Sequence, residues 1–293
     1  MAAGSGSVRL ANVGGRASLL IDGRVVDVEQ ASAGRFTADP MAALRAWDAF
    51  AGWARSVWPD ASAAALDEAK LGPPVPRPSK VFGIAINYRE HASEAGLEVP
   101  ETPVVFTKFP SCLVGPRAEV VLSSDYVDWE VELVVVIGRG GRGIAEARAL
   151  DYVAGFCVGQ DISDRKLQFR DKPPQFSLGK SADTFGPTGP AVVSLDAFAD
   201  PNDLALGCEV AGERMQAGRT SDMIFPVPVL IAFLSSLCTL EPGDLIFTGT
   251  PAGVGSRRTP RRYLAPGDVI VSTIEGIGTL VNRCVAGPDV KLV

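Results

Sequence analysis

Asp128-Trp129-Glu130-Val131-Glu132-Leu133-Val134-Val135-Val136-Ile137-Gly138 is the stretch that decides how this chain folds. Its second half is short, β-branched and ended by glycine, the pattern of a buried strand. Side chains alternate along a strand, so Glu130 and Glu132 share a face, about 7 Å apart along the backbone. Asp128 lies on that face too, and Trp129, Val131 and Leu133 on the other. Two carboxylates entering a core strand side by side repel each other and are costly to bury unpaired. A divalent cation between them removes both costs, and oxygen-only ligands suit a hard ion such as Mg2+, Mn2+ or Ca2+. The alternative is a strand that enters from solvent with both glutamates facing water, and the remaining motifs must decide between the two.

The chain has 293 residues, 46% of them hydrophobic and 21% charged. That is ample to bury a core, in one large domain or in a small and a large one. A net charge of −6 argues against a nucleic-acid or membrane-surface partner. It also means that an anionic substrate needs a metal or a lysine to meet it. Cys112, Cys157, Cys208, Cys238 and Cys284 are odd in number and form no Cys-x-x-Cys. They read as reduced, mostly buried thiols of a cytoplasmic protein. Met1 to Gly6 has no apolar h-region, and no apolar run approaches transmembrane length. His91 is the single histidine, which excludes the multi-histidine ligand sets of most catalytic zinc sites.

Residues 8–28 read as a meander of short strands, with Asp22-Gly23 as a type I′ hairpin signal. Asp39-Pro40 is a helix cap followed by proline at the first helical position. Met41, Leu44, Trp47, Phe50, Ala51, Ala54 and Val57 then follow at helical spacing, as a core-facing stripe. A second short helix is expected over Ser62 to Lys70. Gly72-Pro73-Pro74-Val75-Pro76-Arg77-Pro78 is stiff and extended, and divides the chain into a small N-terminal α+β unit, 1–74, and a large one, 75–293. The large unit is mostly strand. Candidates are 80–86, 104–108, 119–122, 130–137, 153–161, 191–194, 205–210, 244–248 and 269–274, with helices near 90–96, 144–150 and 228–237. No Gly-x-Gly-x-x-Gly follows a first strand and there is no P-loop, so a nucleotide fold is not expected.

Four further segments carry polar groups suited to chemistry. In Asn87-Tyr88-Arg89-Glu90-His91-Ala92-Ser93-Glu94, His91 and Glu94 share a face of a helical turn. A carboxylate beside an imidazole orients it, and together they can hold and deprotonate a water; the plain alternative is a surface histidine with an incidental glutamate. Asp161 ends a strand and offers a third carboxylate to an ion, or else serves as a turn residue. Lys180, in the loop Phe176 to Thr184, could bind a substrate carboxylate or enolate oxygen, and Lys108 is a second candidate cation. In Thr248-Gly249-Thr250-Pro251-Ala252-Gly253-Val254-Gly255, backbone N–H groups and the Thr250 hydroxyl could receive a carboxylate, unless this is an ordinary glycine turn.

Taken together and in this order, these motifs resemble the fumarylacetoacetate hydrolase family. The residues that carry the resemblance are Asn87-Tyr88-x-x-His91-x-x-Glu94, Trp129-Glu130-x-Glu132-Leu133, Asp161-Ile162-Ser163-x-Arg165, Leu178-Gly179-Lys180-Ser181, Thr248 to Gly255 and Glu275-Gly276-Ile277-Gly278. The resemblance spans about residues 75 to 285. It implies an α+β fold dominated by mixed β-sheet, a β-sandwich or β-roll, and usually a homodimer. It implies Mg2+ or a similar ion on Glu130, Glu132 and Asp161, with His91 and Glu94 as a water-activating dyad on a segment that orders over the substrate. Lys180 and Thr250 would contact the substrate; Asn87, Tyr88, Lys108, Gln168 and Gly249 would line or face its site. Two positions depart from the family pattern: Gln160 where many members have Asn, and Lys166, a base near the site, where many have Asp.

The chemistry follows from such a site. A 2-keto acid or 1,3-diketone can chelate one Mg2+ through two oxygens, which stabilises an enolate when a C–C bond breaks. The expected activity is therefore Mg-dependent C–C bond hydrolysis of a small anionic acylpyruvate-like 2,4-dioxo acid through a metal-bound enolate. An oxaloacetate-type decarboxylase or a 2-hydroxyhepta-2,4-diene-1,7-dioate isomerase or hydratase would use the same site. The rival of another class is a catalytically silent binding protein with the same fold.

Overall fold

The computed structural model describes residues 6–59 and 63–288. The chain opens with strands β1 (Arg9–Val13), β2 (Arg16–Ile21) and β3 (Arg24–Asp27). Asp22 and Gly23 both have positive φ, so the expected type I′ turn sets the β2–β3 register. The Asp39 carboxylate accepts the Met41 N–H at 3.1 Å and starts α1 (Pro40–Arg45), which breaks at Ala46 before α2 (Trp47–Ala54). The helical stripe buries Met41, Leu44, Trp47 and Phe50 against the sheet. The helix expected over Ser62 to Lys70 is not formed. Ser62 lies outside the described residues, Ala64–Ala65 pairs with β3, and only a 3-10 turn over Glu68–Lys70 follows, capped by Asp67. Edge pairing and a mid-segment aspartate cap take the backbone that the helix would have used.

Next come β4 (Val81–Ala85), α3 (Arg89–Ala95), β5 (Val104–Thr107), β6 (Val131–Ile137), β7 (Val153–Gln160), α4 (Arg165–Gln168), α5 (Phe176–Gly179) and β8 (Gly186–Val193). They are followed by β9 (Ala205–Val210), β10 (Glu213–Arg219), α6 (Val227–Leu237), β11 (Leu245–Phe247), β12 (Val269–Ile274) and β13 (Gly278–Ala286). The segment expected as a helix near 144–150 is a 3-10 stretch, Glu146–Tyr152. Strands β10 (ERMQAGR) and β13 (GTLVNRCVA) are absent from the sequence expectations: β10 is mostly polar, and in β13 Asn282 and Arg283 interrupt the apolar run. β10 is folded back on β9 by a turn at Ala211-Gly212, both at positive φ.

Two sheets result. The larger runs β3-β2-β1-β8-β7-β6-β11-β4-β5, and the smaller runs β10-β9-β12-β13 and ends on Val120–Leu122. Their apolar faces merge in one core, with β12 and β13 against β7 and β8. This is the α+β, mixed-sheet architecture expected from the sequence. The N-terminal meander enters the large sheet through Arg9↔Val193 and Leu10↔Val192, so sheet and core run on across residue 74.

The topology also explains why the polar motifs meet. β6 is buried along its whole length and lies antiparallel to β7 and β11, while β11 is parallel to β4. The start of β6 therefore lies beside the ends of β7, β11 and β4. Glu130, Asp161, Gly249 and Asn87 come from those four strand ends.

Candidate active site

Glu130, Glu132 and Asp161 are buried, and a carboxylate oxygen of each lies within 4.8 Å of the others. The alternation along the strand holds: Glu130 and Glu132 face this cluster, and Trp129 turns away to donate its indole N–H to the Gly253 carbonyl at 3.1 Å. Asp161 is fixed by its own backbone N–H on the Glu130 carbonyl, 2.9 Å. The reading in which both glutamates face water is thereby excluded.

Three cations meet these acids. Lys180 Nζ donates to Glu130 Oε2 at 2.7 Å, Asp161 Oδ2 at 2.6 Å and Ser163 Oγ at 2.7 Å. Lys108 Nζ donates to Asp161 Oδ1 at 2.6 Å, to the Phe185 carbonyl at 3.1 Å and to the Lys180 carbonyl. Arg165 Nη2 donates to Glu130 Oε1 at 2.5 Å, and its Nε lies 2.6 Å from Asp128 Oδ1. Asp128, read in sequence only as a companion on the same face, is fully buried and also accepts the Ser256 N–H at 2.7 Å.

Glu132 differs from its neighbours. Among the described residues its carboxylate accepts only the Gly249 N–H, at 2.8 Å. Burial, followed by the charges of Asp161 and Glu130, pushes its pKa well above the ordinary glutamate value. Burial acts on Glu130 in the same sense, but Lys180 and Arg165 outweigh it and hold that carboxyl below the usual range. Burial opposes the charge on Lys180, and Asp161 and Glu130 overcome it and raise its pKa. Three buried cations (Lys108, Arg165, Lys180) thus pair with Asp128, Glu130 and Asp161, and Glu132, the fourth buried carboxyl of the cluster, is left without one. An oxygen-only donor set with one carboxyl left uncompensated fits a hard divalent cation.

A cleft of about 340 Å3 opens over the cluster. His91, Glu130, Glu132, Gln168, Lys180 and Thr250 are among the residues that line it. His91 sits on α3, with its Nδ1 3.1 Å from Glu94 Oε2. The other Glu94 oxygen accepts the Gly253 N–H at 3.0 Å and ties the helix to the glycine turn. Thr250 lines the wall, but its hydroxyl donates to the Val131 carbonyl and accepts from Gln216, both at 2.8 Å.

Four expected substrate contacts lie elsewhere. Lys108 stands behind Asp161 with its ammonium surrounded by protein oxygens. Asn87 is buried and pins the Thr248 and Phe225 backbones. Tyr88 is buried beside another depression, its hydroxyl without a partner among the described residues. Gly249 acts through its N–H on Glu132. Lys166 is exposed over the Tyr126 ring, 6.0 Å from its centroid, and not beside the cleft. Gln160 accepts the Glu130 N–H and donates to Ser272, so that family departure is absorbed into support of the strand. Sequence reasoning gave no role to Arg165 and Ser163, which lay inside a quoted motif, or to Phe106, Phe169, Phe176 and Arg257, which no local pattern marks.

Comparison with known proteins matches residues 80–285 to the family described as fumarylacetoacetate (FAA) hydrolase C-terminal. The human protein named oxaloacetate tautomerase FAHD2A, mitochondrial, is 47% identical over 214 residues, 72% of this chain and 68% of its own. The crystal structure of an HpcE-type protein from Mycobacterium smegmatis superposes with a TM-score of 0.91 at 51% identity, covering 96% of this chain and all of that one. Maleylpyruvate hydrolase from Sphingobium, solved with manganese(II) and pyruvate, superposes at 0.79 with 29% identity, covering 96% of this chain and 100% of its own.

Proposed function

We propose, from the premise that this chain belongs to the fumarylacetoacetate hydrolase family and is one of its enzymes, that it acts on 2-keto acids by moving a proton to and from their enol form. The observation that carries this reading is His91, oriented by Glu94, in the same cleft as the three carboxylates and Lys180. A divalent cation on Glu130, Glu132 and Asp161, assigned here as Mg2+ with Mn2+ as its substitute, would supply Lewis-acid polarisation of the keto oxygen.

The chain's own groups do the rest. Glu94 holds the imidazole by Nδ1, which leaves Nε2 as the atom that exchanges protons with substrate or water. In hydrolysis of a 2,4-dioxo acid, Nε2 takes a proton from water and the hydroxide adds to the distal carbonyl. The C–C bond then breaks, its electron pair remains on the pyruvate fragment as an enolate, and the proton returns to that carbon. In tautomerisation the same nitrogen takes the proton from carbon and delivers one to oxygen. The dyad favours hydrolysis, since it can hold a water. The name of the 47% identical human relative favours tautomerisation.

The test measures enol-to-keto conversion of oxaloacetate and cleavage of 2,4-dioxopentanoate by the Mn2+-loaded protein and by His91→Ala. The variant is expected to lose whichever activity the wild type has, and a variant as fast as the wild type would sink the role of His91. The same reading places the enzyme in the cytoplasm as a homodimer. Five free cysteines fit a reducing compartment, and the open edge of β5 offers a pairing surface.

A further inference from the structure

The geometry points to an aromatic ring on the substrate: resting on the enolisation reading above, we infer a 2-keto acid that bears a phenyl-sized group beyond its reacting carbons. Phe106, Phe169 and Phe176 form one wall of the cleft. The Phe106 and Phe176 centroids are 5.9 Å apart at 58°, and those of Phe169 and Phe176 are 6.2 Å apart at 72°. These are the spacings and tilts at which aromatic edges and faces attract. The wall begins at the reacting end, because Lys180 Nζ lies 5.1 Å from the Phe106 centroid. Phe106 packs flat over Gly83, where a Cβ would overlap its ring. The wall ends at the mouth, where Phe169 is 48% exposed.

An aromatic row that runs from the charged cluster to solvent, uncovered at its outer end, lacks a planar apolar partner. The cleft volume of about 340 Å3 is that of sites holding drug-sized ligands, more than a four-carbon acid fills. Arg257, an exposed cation of the cleft lining beyond the Lys180 and Arg165 cluster, is the feature that a second carboxylate would use instead. The rival is therefore an unbranched dioate, and the two make opposite demands on the same wall.

Calorimetry on the Mn2+-loaded full chain decides between them with pyruvate, phenylpyruvate and oxaloacetate as probes. Phenylpyruvate is expected to bind at least about tenfold more tightly than pyruvate, the gain of burying a ring. Phe176→Ala should cut that ratio to about threefold or less, since it removes the ring's partner. Phe169→Ser, at a half-exposed position, gives the same comparison should the first variant not fold. Equal binding of phenylpyruvate and pyruvate, or tightest binding of oxaloacetate, overturns the aromatic assignment and leaves enolisation standing. Failure of all three to bind overturns both.

Discussion

Arg165 Nε lies 2.6 Å from Asp128 Oδ1, and neither side chain lies at the surface. Asp128 is also held by the Ser256 N–H, so this pair joins the turn beside the cleft to the guanidinium that grips Glu130. Asp128→Asn keeps the shape and removes the charge. It is expected to weaken divalent-cation binding by about 10- to 100-fold, the usual effect of losing a group that orients a ligand. Titration calorimetry with Mn2+ measures this, and an unchanged affinity would show that Glu130 is positioned without Asp128.

His91→Ala should lower kcat by about 10²- to 10⁴-fold, the range for loss of a positioned proton carrier. Glu94→Gln should cost less, since it keeps the Gly253 N–H contact and loses only the charge beside the imidazole. Steady-state rates on a 2-keto acid read both, and a Glu94→Gln defect exceeding that of His91→Ala would reverse the assigned roles.

Glu132 makes cation binding depend on pH. Its pKa is raised in the metal-free fold, so it must lose a proton to become a ligand, and affinity should rise with pH until it ionises unaided. The stability consequence has the same origin. A carboxyl with a raised folded pKa contributes stability that is present below its unfolded value of about 4.3 and is lost as pH rises through the folded value. Without cation, the Tm should therefore fall from pH 5 upward, and saturating Mn2+ should offset the fall. Calorimetry in two buffers of different ionisation enthalpy counts the released proton; zero release would contradict a protonated Glu132.

Lys108→Met leaves Asp161 Oδ1 and the Phe185 carbonyl facing an apolar side chain. Breaking a buried pair from one side costs about 3–5 kcal/mol, and denaturant unfolding should show a loss of that size. A loss under about 1 kcal/mol would mean that water reaches Asp161 from behind.

Gly249→Ala tests the turn that serves Glu132. Gly249 has φ +96°, and a Cβ there would lie 2.7 Å from Asn87 Cβ. The substitution should destabilise the fold by about 1–3 kcal/mol and weaken cation binding as the N–H shifts off Glu132. Unchanged binding alongside lost stability would separate the turn from the site.

Much of this site was legible in the chain because its parts obey local rules. Strand alternation placed Glu130 and Glu132 on one face, helical spacing placed His91 beside Glu94, and a β-branched run marked β6 as buried. The strands that escaped notice, β10 and β13, take their pairing from a turn and from neighbours and not from their own composition. Lys108 looked like a substrate contact because sequence reveals a charge at a strand end but not which side of a carboxylate it will occupy.

The sequence by itself therefore determined most of the strands and placed Glu130 beside Glu132 and His91 beside Glu94, since these depend on periods of two and of three to four residues. Only the tertiary structure decided which charges pair. Antiparallel and parallel neighbours bring four strand ends together, and burial then makes each unmatched charge expensive. Glu130 is left with two cations and Glu132 with none, a difference invisible in a motif that writes them alike.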